Sequence, residues 1–85
     1  MRWKIEAKVN LKEGILDPQG STIENALHSM GYEKVEDVRV GKDITFYMEG
    51  KDKENIKEKV EEMCHRVLAN PVIEDYEFTV EKEVE

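Results

Sequence analysis

Cysteine, proline and tryptophan are scarce in this 85-residue chain, which holds one, two and one of them, and no stretch of it stays apolar for long. A lone thiol, Cys64, has no internal partner for a disulfide, which points to a reducing compartment. The amino terminus, Met1-Arg2-Trp3-Lys4, passes straight into a charged alternating segment without the apolar core of a signal peptide, and no run is long enough to cross a bilayer. The expectation is a soluble, cytoplasmic protein with no membrane partner. Positive charge is also in deficit. Thirteen Lys and Arg stand against twenty Asp and Glu, a net charge of −7, with the two signs interleaved. Proteins that grip nucleic acid need concentrated Lys and Arg to displace counterions from phosphates. Nucleic acid and anionic membrane surfaces are therefore disfavoured on one electrostatic ground.

The usual signs of a reacting centre are missing too. The five glycines, at 14, 20, 31, 41 and 50, form neither a P-loop nor a dinucleotide fingerprint. Cys64 and His65 are neighbours, so on a helix their side chains diverge by about 100°. Glu61 and His65 lie one turn apart, but two ligands do not make a zinc site. No base is placed beside Cys64, which reads as a small buried hydrophobe. His28 reads as a half-buried or surface histidine. No catalytic, cofactor-binding or metal-binding residue is predicted in this chain.

What is present is clear periodicity. Trp3, Ile5, Ala7, Val9 and Leu11 alternate with Lys4, Glu6, Lys8 and Asn10, the pattern of a strand with one dry face. Asp17 can cap a helix whose first residue is Pro18, and Ile23, Ala26, Leu27 and Met30 follow at helical spacing up to a stop at Gly31. Gly20 is awkward in a first turn, so the helix proper is expected nearer Ser21. Val38 and Val40 suggest a second strand and Ile44, Phe46 and Met48 a third, with Gly41-Lys42-Asp43 as a hairpin turn. One long bent strand would keep the same face and is the alternative. Asp52 caps a second helix with the stripe Ile56, Val60, Met63, Val67 and Leu68, Cys64 beside it, ending ahead of Pro71. Tyr76, Phe78 and Val80 carry a last strand, and Lys82 to Glu85 form a frayed, solubilising end.

The fold class expected is α+β, a two-layer sandwich of antiparallel sheet with two helices on one face, in ferredoxin-like βαββαβ order, as a single domain over residues 1–85. First and last strands should then be neighbours, with Lys4, Glu6 and Lys8 facing Glu77, Thr79 and Glu81. The other face of the sheet, with Thr45 and Tyr47, is left uncovered, and it or an exposed sheet edge is expected to meet another subunit. Fold alone does not decide function. No glycine-rich anion loop carrying an Arg supports an acylphosphatase, and no aromatic cluster supports an RNA-recognition motif. A small-molecule regulatory domain stays open as the alternative.

Three segments carry a resemblance. Leu16-Asp17-Pro18-Gln19-Gly20, running on through Ala26-Leu27-His28-Ser29-Met30-Gly31-Tyr32, resembles the first helix of PurS proteins, the small subunits of phosphoribosylformylglycinamidine synthase. Val38-Arg39-Val40-Gly41-Lys42 is similar to the strand that follows there. Leu68-Ala69-Asn70-Pro71-Val72-Ile73-Glu74-Asp75-Tyr76 is similar to the family's helix-to-strand corner. The resemblance implies a non-catalytic subunit of purine biosynthesis that self-associates as a dimer or tetramer. It would join a PurL-type large subunit, which holds ATP and Mg²⁺, to a PurQ-type glutaminase, converting formylglycinamide ribonucleotide to the amidine with no cofactor of its own. Contact residues expected on this reading are Asp17, Pro18, Gln19 and Gly20 at the first helix, Arg39, Gly41 and Lys42 at the turn, and Asn70, Pro71, Asp75 and Tyr76 at the second corner. Asp17, Pro18, Gly41 and Pro71 also have local structural work, whereas Arg39 and Lys42 have less of it.

Overall fold

Alternation along β1 (Arg2–Leu11) turns Trp3, Ile5, Ala7 and Val9 to one face, and all four are buried. The coordinates are a computed structural model that describes residues 1–83. The remaining elements are α1 (Pro18–Ser29), β2 (Lys42–Glu49), α2 (Lys53–Met63) with a π-helical last turn over Cys64–Leu68, and β3 (Glu74–Lys82). The three strands form an antiparallel sheet in the order β2-β1-β3, so β1 is central. Of the expected tail, Lys82 closes β3 and Glu83 donates its backbone N–H to the Arg2 carbonyl; Val84 and Glu85 lie outside the described residues.

The register puts like with like. Ile5 lies between Phe46 and Val80, and Ala7 between Ile44 and Phe78. On the outer face Lys4 faces Glu81, Glu6 faces Thr79 and Lys8 faces Glu77, the pairing expected from the sequence. Opposed charges of this kind contribute about 0.2–1 kcal/mol each. Arg2 stacks over Tyr47 on the same face, 4.4 Å from the ring centroid.

α2 closes the inner face. Asp52 accepts from the Asn55 N–H as its cap, and Ile56, Val60 and Cys64 pack on Trp3, Ile5, Ala7 and Val80. The i→i+5 bond from Ala69 N–H to the Cys64 carbonyl widens the final turn. Val67, expected on the buried stripe, is rotated outward to 79% exposure, while Leu68 stays half-buried.

The α+β class and the antiparallel sheet are as expected, but the order is βαβαβ, one strand fewer than the hairpin reading. Val38 and Val40 form no strand, alone or as part of a long bent β2. Their N–H groups are satisfied elsewhere: Val40 donates to Asp17 Oδ2 at 2.7 Å and Val38 to Glu24 Oε1 at 3.3 Å. Two carboxylates on the first helix thus take the donors that a neighbouring strand would have needed. The same bonds decide where α1 goes. It lies along the segment 35–40 and makes no extensive contact with any strand or with α2, so only one helix covers the sheet.

α1 itself begins at Pro18, not near Ser21. Gly20 fits the first turn because a side chain there has no room: a Cβ would sit 2.1 Å from the Val38 carbonyl oxygen. On an exposed helix Gly→Ala stabilises by about 1 kcal/mol. Here the sign reverses, and Gly20→Ala is expected to destabilise by about 1–3 kcal/mol through overpacking, as read by urea denaturation. A more stable variant would mean that the segment 38–40 does not lie against α1. The far end of α1 closes with Gly31 at φ 101°, Gly31 N–H bonding to the His28 carbonyl and Tyr32 N–H to that of Leu27, a Schellman arrangement.

Candidate contact surface at one end of the sheet

Antiparallel pairing brings the end of β1 beside the starts of both other strands, since Val9 pairs with Lys42 and Leu11 with Glu74. The three sequence segments singled out above therefore converge on one end of the sheet. Lys12, the residue after β1, ties the turn to the second corner, and Asp17 ties the first helix to the turn through Val40. The Lys12 N–H donates to the Ile73 carbonyl at 2.8 Å, its carbonyl accepts from Arg39 at 3.1 Å, and its ammonium lies 3.3 Å from Asp75.

Each expected contact residue has a definite place. Asp17 is buried and accepts from the N–H groups of Gly20, at 2.9 Å, and Val40. Those two bonds, with Arg39 nearby, hold its carboxyl below the usual carboxylate range against the opposing effect of burial. Its stabilising contribution is thus present above the ordinary carboxylate range and lost as pH falls through the lowered value. Pro18 and Gln19 are exposed on the first turn. Gly41 lies close to β1, where a Cβ would meet Asn10 Oδ1 at 2.2 Å. Arg39 and Lys42 do have local tasks. Arg39 bonds the Lys12 carbonyl, and Lys42 reaches the Leu68 carbonyl at 3.3 Å and Glu74 at 3.7 Å. Both side chains remain exposed enough that such contacts contribute little.

Asn70 closes the second corner almost alone. Its carbonyl accepts from Ile73 and Glu74, its side chain from Val72, and its own N–H donates to Glu74 Oε1. Pro71, Val72 and Asp75 are left facing solvent. Tyr76 belongs to the interior side instead: it pairs with Val9 and donates its hydroxyl to Glu61 on α2. That bond to a carboxylate, followed by desolvation, pushes its phenol up to about 12. The neutral form is the one held, so this contribution is complete below about pH 10 and is lost as pH rises toward about 12. In a tyrosinate absorbance titration, Tyr76→Phe should remove the step near 12, and Glu61→Gln should return it toward 10. A step lost near 10 in Tyr76→Phe, with no change in Glu61→Gln, would show that this bond does not form.

Lys12, Glu24 and Glu74 were not anticipated. A residue spacing signals contacts within one element, and nothing in the spacing marks a carboxylate that reaches fourteen residues to Val38. His28 is half-buried as expected; its Nε2 meets the Val35 carbonyl at 2.7 Å, and because a carbonyl only accepts, Nε2 carries the proton. Burial pushes the Cys64 thiol up, the opposite of what a nucleophile needs.

Among the described residues no three His, Cys, Asp or Glu side chains gather as metal ligands, and no helix is long and apolar enough to cross a membrane. Large apolar side chains stand in water instead, Leu16, Ile23, Met30 and Tyr32 around α1 and Val67 and Val72 near the second corner.

The sequence pattern described as "PurS: Phosphoribosylformylglycinamidine (FGAM) synthase" matches residues 4–82. The phosphoribosylformylglycinamidine synthase subunit PurS of Methanocaldococcus jannaschii is 49% identical over 80 residues, 94% of this chain and 96% of that one. That of Bacillus subtilis is 49% identical over 82 residues, 96% of each. Among solved structures, B. subtilis PurS superposes with a TM-score of 0.86 at 49% identity, over 94% of this chain and 99% of the other. A chain of PurLQS from Thermotoga maritima gives a TM-score of 0.85 at 34% identity, over 94% of this chain and 98% of the other. The chain belongs to the PurS family of FGAM synthase subunits, in purine biosynthesis.

Proposed function

We propose that this chain, one domain over residues 1–85, is the assembly subunit of a cytoplasmic FGAM synthase. It joins a PurL-type large subunit, where ATP and Mg²⁺ are held, to a PurQ-type glutaminase, and it associates with further copies of itself. The observation that carries the reading is the full-length likeness to a chain of PurLQS. The exposed apolar side chains at α1 and at the second corner support it, because they are surfaces without a partner inside the chain. Such a subunit accelerates a reaction by placement. Docking fixes two active sites relative to one another and keeps water from a reactive intermediate. Ammonia released by a glutaminase is lost as a nucleophile once it escapes and is protonated.

Reconstitution tests this reading. Glutamine-dependent amidine formation by the large subunit and the glutaminase should require this chain, and the three should co-elute with ATP and glutamine present. Equal activity and unchanged elution without it would overturn the proposal. Saturable binding of an amino acid or nucleotide by this chain alone, with no effect on assembly, would favour a regulatory domain instead.

A further inference from the structure

Apolar alternation does not begin with β2. Val38 and Val40 share the even-numbered face of Ile44, Phe46 and Met48, yet they lie outside the sheet. The register shows what longer pairing requires. Val9 pairs with Lys42, so continuing the ladder sets Leu11 against Val40, Lys12 against Arg39 and Glu13 against Val38. Backbone groups along β1 point alternately to its two neighbours. The Met1 carbonyl accepts from Gly50, on the β2 side. The Arg2 carbonyl accepts from Glu83 and the Lys12 N–H donates to Ile73, both on the β3 side. Odd-numbered residues therefore face β2, and the Leu11 and Glu13 carbonyls are the acceptors that Val40 and Val38 would use in a longer strand.

The same two N–H groups go instead to Asp17 Oδ2 at 2.7 Å and Glu24 Oε1 at 3.3 Å. Little else keeps the segment on α1. Among the described residues, 36–40 make no backbone–backbone hydrogen bond. The further contacts are the His28 ring on the Val35 carbonyl and the close approach of Gly20 to Val38. Meanwhile the longer ladder is half assembled. The Arg39 guanidinium already rests on the carbonyl of Lys12, its partner in register, and Gly41 already lies against its own partner, Asn10.

We infer that segment 38–41 is a two-state strap, either latched to α1 by Asp17 and Glu24 or zipped onto β1 as an extension of β2. Both states satisfy the same donors, so the exchange leaves neither N–H without an acceptor. α1 makes no extensive contact with any strand or with α2. Its attachments are the loop before it and this strap, so the state of the strap sets the direction in which the exposed Ile23 and Met30 point. The inference stands on the fold and is independent of the assembly proposed above.

Nuclear Overhauser contacts in the full chain test it. A non-hydrogen-bonded antiparallel pair brings opposed Cα atoms to about 4.5 Å, so the zipped state gives an Hα–Hα contact between Lys12 and Arg39. The unsubstituted chain should lack that contact. Asp17→Ser combined with Glu24→Ala removes the latch while keeping a helix cap, and there the contact should appear. The Ile5–Val80 contact between β1 and β3 should persist as the control. Glu24→Gln keeps an acceptor and should behave as the unsubstituted chain does. Random-coil shifts over 38–41 in the folded double variant, with no Lys12–Arg39 contact, would overturn the inference, as would that contact in the unsubstituted chain. In a mixture of labelled and unlabelled copies, a Lys12–Arg39 contact found only between copies would overturn it too. If the double variant loses the Ile5–Val80 contact, Glu24→Ala alone decides, since it leaves the cap intact: the Lys12–Arg39 contact should appear at partial intensity, and its absence would overturn the strap.

Discussion

Trp3→Ala is expected to lower the unfolding free energy by about 3–5 kcal/mol, the cost of emptying a large aromatic site. Total stability for a chain of this length is only about 4–13 kcal/mol, so the variant should lose a large share of it and melt at a markedly lower temperature. The indole is 7% exposed and caps the end of the core where β1 meets the start of α2. Its Nε1–H donates to the Gly50 carbonyl at 3.1 Å, and a Cβ at Gly50 would strike Ile56 at 2.4 Å. Strand end, turn and helix start are thus fitted to one ring. Trp3→Phe separates the two contributions: it keeps most of the ring and removes the hydrogen bond, a loss of about 1 kcal/mol. Urea denaturation followed by circular dichroism at fixed protein concentration measures both. If Trp3→Ala fell within 1 kcal/mol of the unsubstituted chain, Trp3 would not be closing this core.

Ile56→Ala should cost about 2–5 kcal/mol, and Val67→Ala within about 0.5 kcal/mol. Helical periodicity assigns both residues to one buried stripe. Ile56 is fully buried against β1, while the π-helical turn has carried Val67 out to solvent. The pair therefore tests the wide turn, not merely the core. Equal losses at both positions would mean that the stripe continues regularly and that Ala69 does not bond back to Cys64.

Most of the sheet was legible because its signal is local. Burial on β1 follows the alternation of Trp3 to Val9 residue by residue, and the caps at Asp17 and Asp52 lie where short carboxylates meet free N–H groups. The opposite charges expected across the outer faces of β1 and β3 do lie opposite one another. The strand expected at Val38 and Val40 failed for a non-local reason, since Asp17 and Glu24 supply acceptors that no reading of residues 38–40 by themselves reveals. Arg39 and Lys42 followed the same rule. Their partners are backbone carbonyls of Lys12 and Leu68, which periodicity does not mark.

Residue order alone settles the α+β class, the dry and wet faces of β1, β2 and β3 and the caps at Asp17 and Asp52, since each depends on groups a few positions apart. The resemblance to PurS proteins is also carried by short segments and needs no coordinates. Only the folded chain decides that Lys12 joins the turn to the second corner, that α1 leaves the sheet, and that apolar side chains on α1 stay in water. Those outcomes depend on which distant acceptor reaches a given N–H first, and that is a property of three-dimensional placement.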